Sequence, residues 1–128
     1  MNSPAHPALA TAKATDPARV DLRALAERIF ADAAAMSPDR VGLSRPAYSA
    51  VESRMLDYLE ETARGLGLET WRDAGDNLVI AAPGDTDPAA RAGYFGSHVD
   101  TVPEGGNYDG LAGVVAGLLA LLANVREG

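Results

Sequence analysis

The stretch Ala92-Gly93-Tyr94-Phe95-Gly96-Ser97-His98-Val99-Asp100 runs out of an apolar segment into a polar, glycine-rich loop. Residues 92–97 are short and apolar without alternation, the pattern of a strand covered on both faces, and they predict a central third β-strand. Residues 100–109 predict the loop. Residues 110–125 form the longest apolar run of the chain and contain Gly110, Gly113 and Gly117. That run is shorter than the ~18–20 residues a membrane span requires, so it predicts a buried helix. The glycines predict close packing of that helix on the sheet. Strand, loop and helix in this order form the basic unit of an α/β fold.

Upstream, Asp21 is placed to cap a helix running to about Met36, with Leu22, Leu25, Ile29 and Ala33 at helical spacing and Ser37-Pro38 stopping it. Residues 39–48, with Gly42 and Pro46, predict a loop. Ser49-Ala50-Val51-Glu52 is a capping box, in which the serine oxygen and the glutamate side chain each take an otherwise unpaired backbone N–H. The helix it opens carries Val51, Met55, Leu56, Leu59 and Ala63 on one face and ends at Gly65 and Gly67. Residues 68–72 and 77–82 predict strands joined by the turn Asp73-Ala74-Gly75-Asp76, a hairpin. Residues 83–88 predict a loop. The full order, two helices, three strands and a helix, predicts a layered α/β domain without internal repeats.

At 128 residues the chain is long enough for one domain with a real core. Hydrophobic residues make up 47% and charged residues 23%, an ordinary globular balance. A net charge of −7 argues against nucleic acid as a partner, which requires a basic face, and is compatible with cation binding. The absence of cysteine excludes disulfides, thiolate metal sites and a cysteine nucleophile. Residues 1–17 are rich in Ala, Pro, Thr and Ser and lack a continuous apolar segment. They predict a disordered leader, with His6 solvated in it, rather than a secretory signal. A cytoplasmic location with no membrane partner is expected.

The chemistry concentrates around the end of the third strand. His98 lies just past it, where open α/β sheets place ligand sites. Asp100 is two residues on, so in extended chain both side chains point the same way. A carboxylate beside an imidazole accepts the hydrogen bond of one ring nitrogen and leaves the other oriented for a metal. Asp109 then arrives at the start of the last helix, after a loop short enough to fold back on His98. Imidazole plus carboxylate suits zinc, manganese, cobalt or nickel better than magnesium or calcium. Ordinary readings compete. H-x-D by itself is a weak signal, and an aspartate before a helix is a favoured N-cap. Gly105 and Gly106 before a helix N-terminus fit an anion site, but Asp100, Glu104 and Asp109 crowd the same loop and favour a cation. Trp71, Tyr94 and Phe95 are expected in the core. Arg45 and Asn77 flank proline or glycine turns and read as structural, and Glu60-Glu61 reads as a solvated helix face.

Taken together, Gly96-Ser97-His98-Val99-Asp100-Thr101-Val102-Pro103, Gly105-Gly106 and Tyr108-Asp109-Gly110 resemble the N-terminal metal motif of the M20 metallopeptidase superfamily. The short spacing from His98 to Asp109 resembles one branch in particular, the hydantoinase/carbamoylase amidases, which include N-carbamoyl-L-amino-acid hydrolases and allantoate amidohydrolases. Gly42-Leu43-Ser44-Arg45 and Ala47-Tyr48-Ser49 resemble the family's lead into its second helix, and Asp73 and Asn77-Leu78 its first hairpin. The resemblance covers about Val20 to Gly128. Val99 replaces a usual leucine, and Leu119 stands where an acidic residue is common.

The resemblance implies residues 18–128 as the N-terminal portion of a layered α/β/α zinc-hydrolase catalytic domain. It implies His98 as ligand of one metal, Asp109 as a bridge between two divalent ions (Zn, Mn, Co or Ni) and Asp100 as the supporting partner of His98. The implied substrate is a small carbamoyl or ureido compound, cleaved at a C–N bond by metal-activated water. In the family, an adjacent glutamate pair supplies the general base and a ligand, two later histidines complete the site, and a lid domain carries the substrate-carboxylate contacts and the homodimer interface. This sequence has none of these, and Glu60-Glu61 precedes the motif on another element. The expectation is therefore a truncated chain, inactive and not dimeric by itself. The alternative is a non-catalytic remnant or half-module with weak metal binding that needs a complementing chain.

Overall fold

The computed structural model describes residues 15–85, 87 and 93–127. The first long helix, α1 (Leu22–Met36), opens on Asp21, whose carboxylate accepts the Ala24 N–H at 3.0 Å. That bond satisfies one of the amides a helix start leaves unpaired. The second, α2 (Ala50–Gly65), opens on Ser49, whose Oγ accepts the Glu52 N–H at 3.2 Å. The Glu52 carboxylate takes the N–H of Tyr48, one residue ahead of the cap, so the expected capping box is present with its glutamate arm displaced. The helix stops because Gly67 is left-handed (φ 78°). Its N–H returns to the Arg64 carbonyl at 3.0 Å, and the Leu68 N–H returns to Ala63 at 3.1 Å, the paired bonds of a Schellman end.

The expected hairpin follows. Strand β1 (Glu69–Arg72) pairs antiparallel with β2 (Leu78–Ala81), Glu69 opposite Ala81 and Arg72 opposite Leu78. The last helix is α3 (Leu111–Glu127). Among the described residues the architecture is thus helices with a small antiparallel sheet, consistent with an α/β class.

One core joins these elements. Leu25, Ile29 and Ala33 of α1, Met55, Leu59 and Ala63 of α2, and Leu111, Val115, Leu118 and Leu122 of α3 are all buried in it, together with Leu66, Leu68 and Val99. The helical spacing of each set is what brings three stripes to one centre. The opposite face of α3, at Ala112, Ala116 and Ala120, is exposed, so that helix is covered on one side and not all round. No helix among the described residues is long and apolar enough to cross a membrane. Most of the expected leader, residues 1–14 with His6, lies outside the described residues. Its end is tied down: Thr15 N–H bonds the Gly65 carbonyl at 2.9 Å, and Asp16 caps a short 3-10 helix, Pro17–Arg19.

The expected third strand, residues 92–97, is not formed among the described residues. Ala92 lies outside the described residues, and residues 93–97 form no strand. A strand exists only where a neighbour takes its backbone hydrogen bonds, and among the described residues this segment has no such neighbour. It lies along α3 instead. A Cβ at Gly113 would sit 2.6 Å from Ser97 Oγ, and one at Gly117 would sit 3.3 Å from Phe95 Cβ. The glycines permit the expected close approach, but to an extended segment rather than to a sheet. Tyr94 is 79% and Phe95 78% exposed, and Trp71 is also exposed, so the three aromatics expected in the core lie on the surface.

Candidate functional site

His98 and Asp100 meet as the H-x-D spacing predicts. His98 Nδ1 lies 3.0 Å from Asp100 Oδ1 and 3.1 Å from the Asp100 carbonyl. Both partners accept, which assigns the ring proton of a neutral imidazole to Nδ1 and leaves the Nε2 lone pair free. The pair lines a cleft of about 510 Å³. Its other walls come from Tyr48 and Glu52 at the start of α2 and from Asp76 and Asn77 in the hairpin turn. Glu52, Asp76 and Asp100 make the cleft acidic, an environment that attracts cations.

Asp109 is not among the residues lining that cleft. Its place is set by its neighbours. Tyr108 sits edge-on to Phe30 of α1, centroids 4.9 Å apart, and Asn107 Nδ2 donates to the Phe30 carbonyl at 2.9 Å. On the other side Gly110 adopts φ 69° and lies so close to His98 that a Cβ there would be 2.4 Å from both the His98 carbonyl and the ring Cε1. Asp109 is therefore held between a residue tied to α1 and a residue against the imidazole. The first amides of α3 bond to backbone carbonyls, Leu111 to Asp109 at 2.8 Å and Ala112 to Tyr108 at 3.0 Å. Among the described residues the Asp109 carboxylate has no hydrogen-bond or ion-pair partner, so it does not act as the side-chain cap.

By their chemistry, His98 Nε2 and the Asp109 carboxylate fit part of the donor set of a divalent metal. Among the described residues no group of three or more His, Asp or Glu side chains is arranged to hold an ion, so the donor set present is incomplete. The anion reading loses its basis. Gly105 pairs with Leu43, its N–H donating to the Leu43 carbonyl at 2.7 Å, and lies well ahead of the start of α3 at Leu111.

Two other contributors are barely legible in the sequence. Tyr48, at the cleft, is 99% exposed and has a left-handed backbone (φ 58°), an uncommon conformation for a bulky side chain. Arg45 is fully buried behind the site loop. Its Nε donates to the Val99 carbonyl at 2.5 Å and its Nη1 to Ser37 Oγ at 2.7 Å. Burial pulls its guanidinium below the ordinary arginine range, and the charges of Asp100 and Glu52 oppose that pull. In the sequence Arg45 is a cation between Gly42 and Pro46 and part of the stretch Gly42-Leu43-Ser44-Arg45 that carries the resemblance, with no role in the site attached to it.

The chain is similar to bacterial amidohydrolases and plant deiminases. An N-carbamoyl-L-amino acid amidohydrolase from Geobacillus stearothermophilus is 39% identical over 77 residues, 60% of this chain and 19% of the relative. An N-carbamoyl-L-amino-acid amidohydrolase from Paenarthrobacter aurescens is 32% identical over 109 residues, 83% of this chain and 26% of the relative. Allantoate deiminase 2 from Glycine max is 33% identical over 63% of this chain and 17% of the relative. The chain spans about a fifth of the length of the curated relatives it matches. No protein-family model matches it, and no solved structure does.

Proposed function

We propose that this chain carries one side of the metal site of an amidohydrolase that cleaves C–N bonds of small carbamoyl or ureido compounds, within the layered α/β/α catalytic domain of the M20 superfamily. The observation that carries the reading is the His98–Asp100 contact at 3.0 Å, made on the ring nitrogen that leaves Nε2 free. Relatives named for the hydrolysis of N-carbamoyl amino acids, and others named allantoate deiminase, support the substrate class.

In this reading His98 offers Nε2 as a ligand and Asp109 offers its free carboxylate. Asp100 holds the imidazole in one tautomer and orientation. A bound divalent pair would supply carbonyl polarisation and a water acidified toward neutral pH. The acidic cleft walls keep the local potential favourable to cations. A second reading, a half-module that binds metal weakly and needs a complementing chain, is favoured by the lack of a third ligand among the described residues.

Calorimetry with zinc and manganese tests the assignment. Weak binding is expected from the chain, with none from His98→Ala. Identical isotherms for the two proteins would sink the metal role of His98. Hydrolysis of N-carbamoyl amino acids by this chain alone is expected to be undetectable, because two donors without a neighbouring base do not complete such a site.

A further inference from the structure

We propose that Arg45 is the positioning residue of the His98–Asp100 pair, acting through a clamp on the backbone at both sides of Asp100. Four contacts converge there. Arg45 Nε donates to the Val99 carbonyl at 2.5 Å, immediately before Asp100. The Thr101 N–H, immediately after it, donates to the Arg45 carbonyl at 2.8 Å. The Arg45 N–H donates to Thr101 Oγ1 at 2.9 Å. Ser37 Oγ, itself bonded to the Ala33 carbonyl at 2.9 Å, accepts from Nη1 at 2.7 Å and fixes the guanidinium to the end of α1. With residues 99 and 101 both held, the backbone of Asp100 is fixed at the place from which its carboxylate reaches His98 Nδ1 at 3.0 Å.

A purely structural role would not need this residue. A buried guanidinium carries a desolvation cost that an aliphatic side chain of similar volume avoids. Arg45 Nη2 is moreover buried without a hydrogen-bond partner, so the group is not placed to satisfy itself. What an aliphatic side chain lacks is the planar fork that reaches Val99 and Ser37 at once. The Asp100 and Glu52 carboxylates supply the counter-charge, tying the clamp electrostatically to the wall it supports.

The test uses the whole chain as Arg45→Lys, Arg45→Met and Thr101→Val, with His98→Ala to assign the ring signals. The first readout is the His98 tautomer, from long-range proton–nitrogen spectra of metal-free protein in alkaline buffer, where imidazole is neutral. Wild type is expected to show the Nδ1–H form. Arg45→Met and Thr101→Val are expected to show mixed tautomers, and Arg45→Lys to recover part of the wild-type signature. Thr101→Val keeps the test alive if Arg45→Met does not fold, because it removes one arm of the same clamp, the acceptor of the Arg45 N–H, without touching the guanidinium. The second readout, zinc affinity, rests on the metal site proposed above. A roughly 10- to 100-fold loss is expected, the usual effect of removing support from a ligating histidine. An unchanged tautomer in folded Arg45→Met, or in Thr101→Val where Arg45→Met does not fold, would overturn the proposal. Failure of wild type to bind zinc would sink the metal reading alone, and the tautomers would still decide the role of Arg45.

Discussion

Two acidic loops in this molecule are held in opposite ways. The hairpin turn after β1 closes on itself. Asp73 Oδ1 accepts the Gly75 N–H at 2.8 Å and the Asn77 N–H at 2.9 Å, and the Asn77 amide returns to the same carboxylate. Every one of these partners lies within four residues. The site loop after His98 is closed from a distance. Arg45 takes Val99, Leu43 pairs with Gly105, Ser44 Oγ accepts the Glu104 N–H at 2.9 Å, and Asn107 reaches Phe30. A turn built from neighbours folds with its own residues. A loop built from partners 54 to 77 positions away exists only when the rest of the chain has folded around it. The position of His98 is thus a product of the whole fold.

The sharpest way to break that contrast is Gly110→Ala. The new methyl would need a left-handed backbone and would meet the His98 carbonyl and ring Cε1 at 2.4 Å. If distant partners hold the loop rigidly, nothing can yield, and the backbone and steric costs combine to about 3 kcal/mol. Urea unfolding measures it. A loss under about 1 kcal/mol would mean the loop shifts freely and is not held as described.

Next is Ser44→Ala, which removes the acceptor for Glu104 N–H and leaves the rest of the loop's anchors in place. The expected loss is about 1 kcal/mol. Amide exchange is expected to quicken across residues 99–105 and to stay unchanged in the hairpin. Equal acceleration in both loops would erase the distinction between them.

The same contrast explains what the sequence made legible. Asp21, the Ser49 cap, Gly67 and the turn opened by Asp73 are local signals read within a few residues, and each appears where the sequence places it, with the Glu52 arm of the capping box shifted by one residue to Tyr48. The apolar stripes of α1 and α2 were equally readable, because helical spacing is a local property too. The segment 93–97 forms no strand although its apolar composition predicts one, because a strand is defined by its neighbour and composition cannot name one. Within the site, the meeting of His98 and Asp100 followed from a spacing of two. Arg45 did not, since the groups that give it meaning, Val99 and Thr101, lie more than fifty residues away.

The smaller effects concern the framework. Tyr58 of α2 donates to Asp32 Oδ2 of α1 at 2.7 Å, and burial first, then that bond and charge, push its phenol up to about 12. A raised folded value means the unfolded chain loses its proton first. The contribution of Tyr58 is therefore complete below the ordinary tyrosine range and disappears as pH rises through about 12. Tyr58→Phe is expected to lower stability by about 1 kcal/mol at neutral pH. It should also flatten the alkaline fall in melting temperature relative to wild type.

The smallest effect belongs to the self-closed turn, and its sign is opposite. The Asn77 side chain first, then the backbone amides of Asn77 and Gly75, hold the Asp73 carboxyl below the ordinary carboxylate range. With the folded value depressed, the unfolded chain binds the proton more tightly. The contribution is present above the unfolded carboxylate range and is lost as pH falls through the folded value. Asp73→Ala is therefore expected to melt slightly below wild type at neutral pH, with the two curves converging in acid. Because the bonds it removes are all local, faster amide exchange should stop at the ends of β1 and β2. His98 ring signals should not move. A shift at His98 would mean the two loops are coupled through the cleft they share, and the turn would then belong to the site.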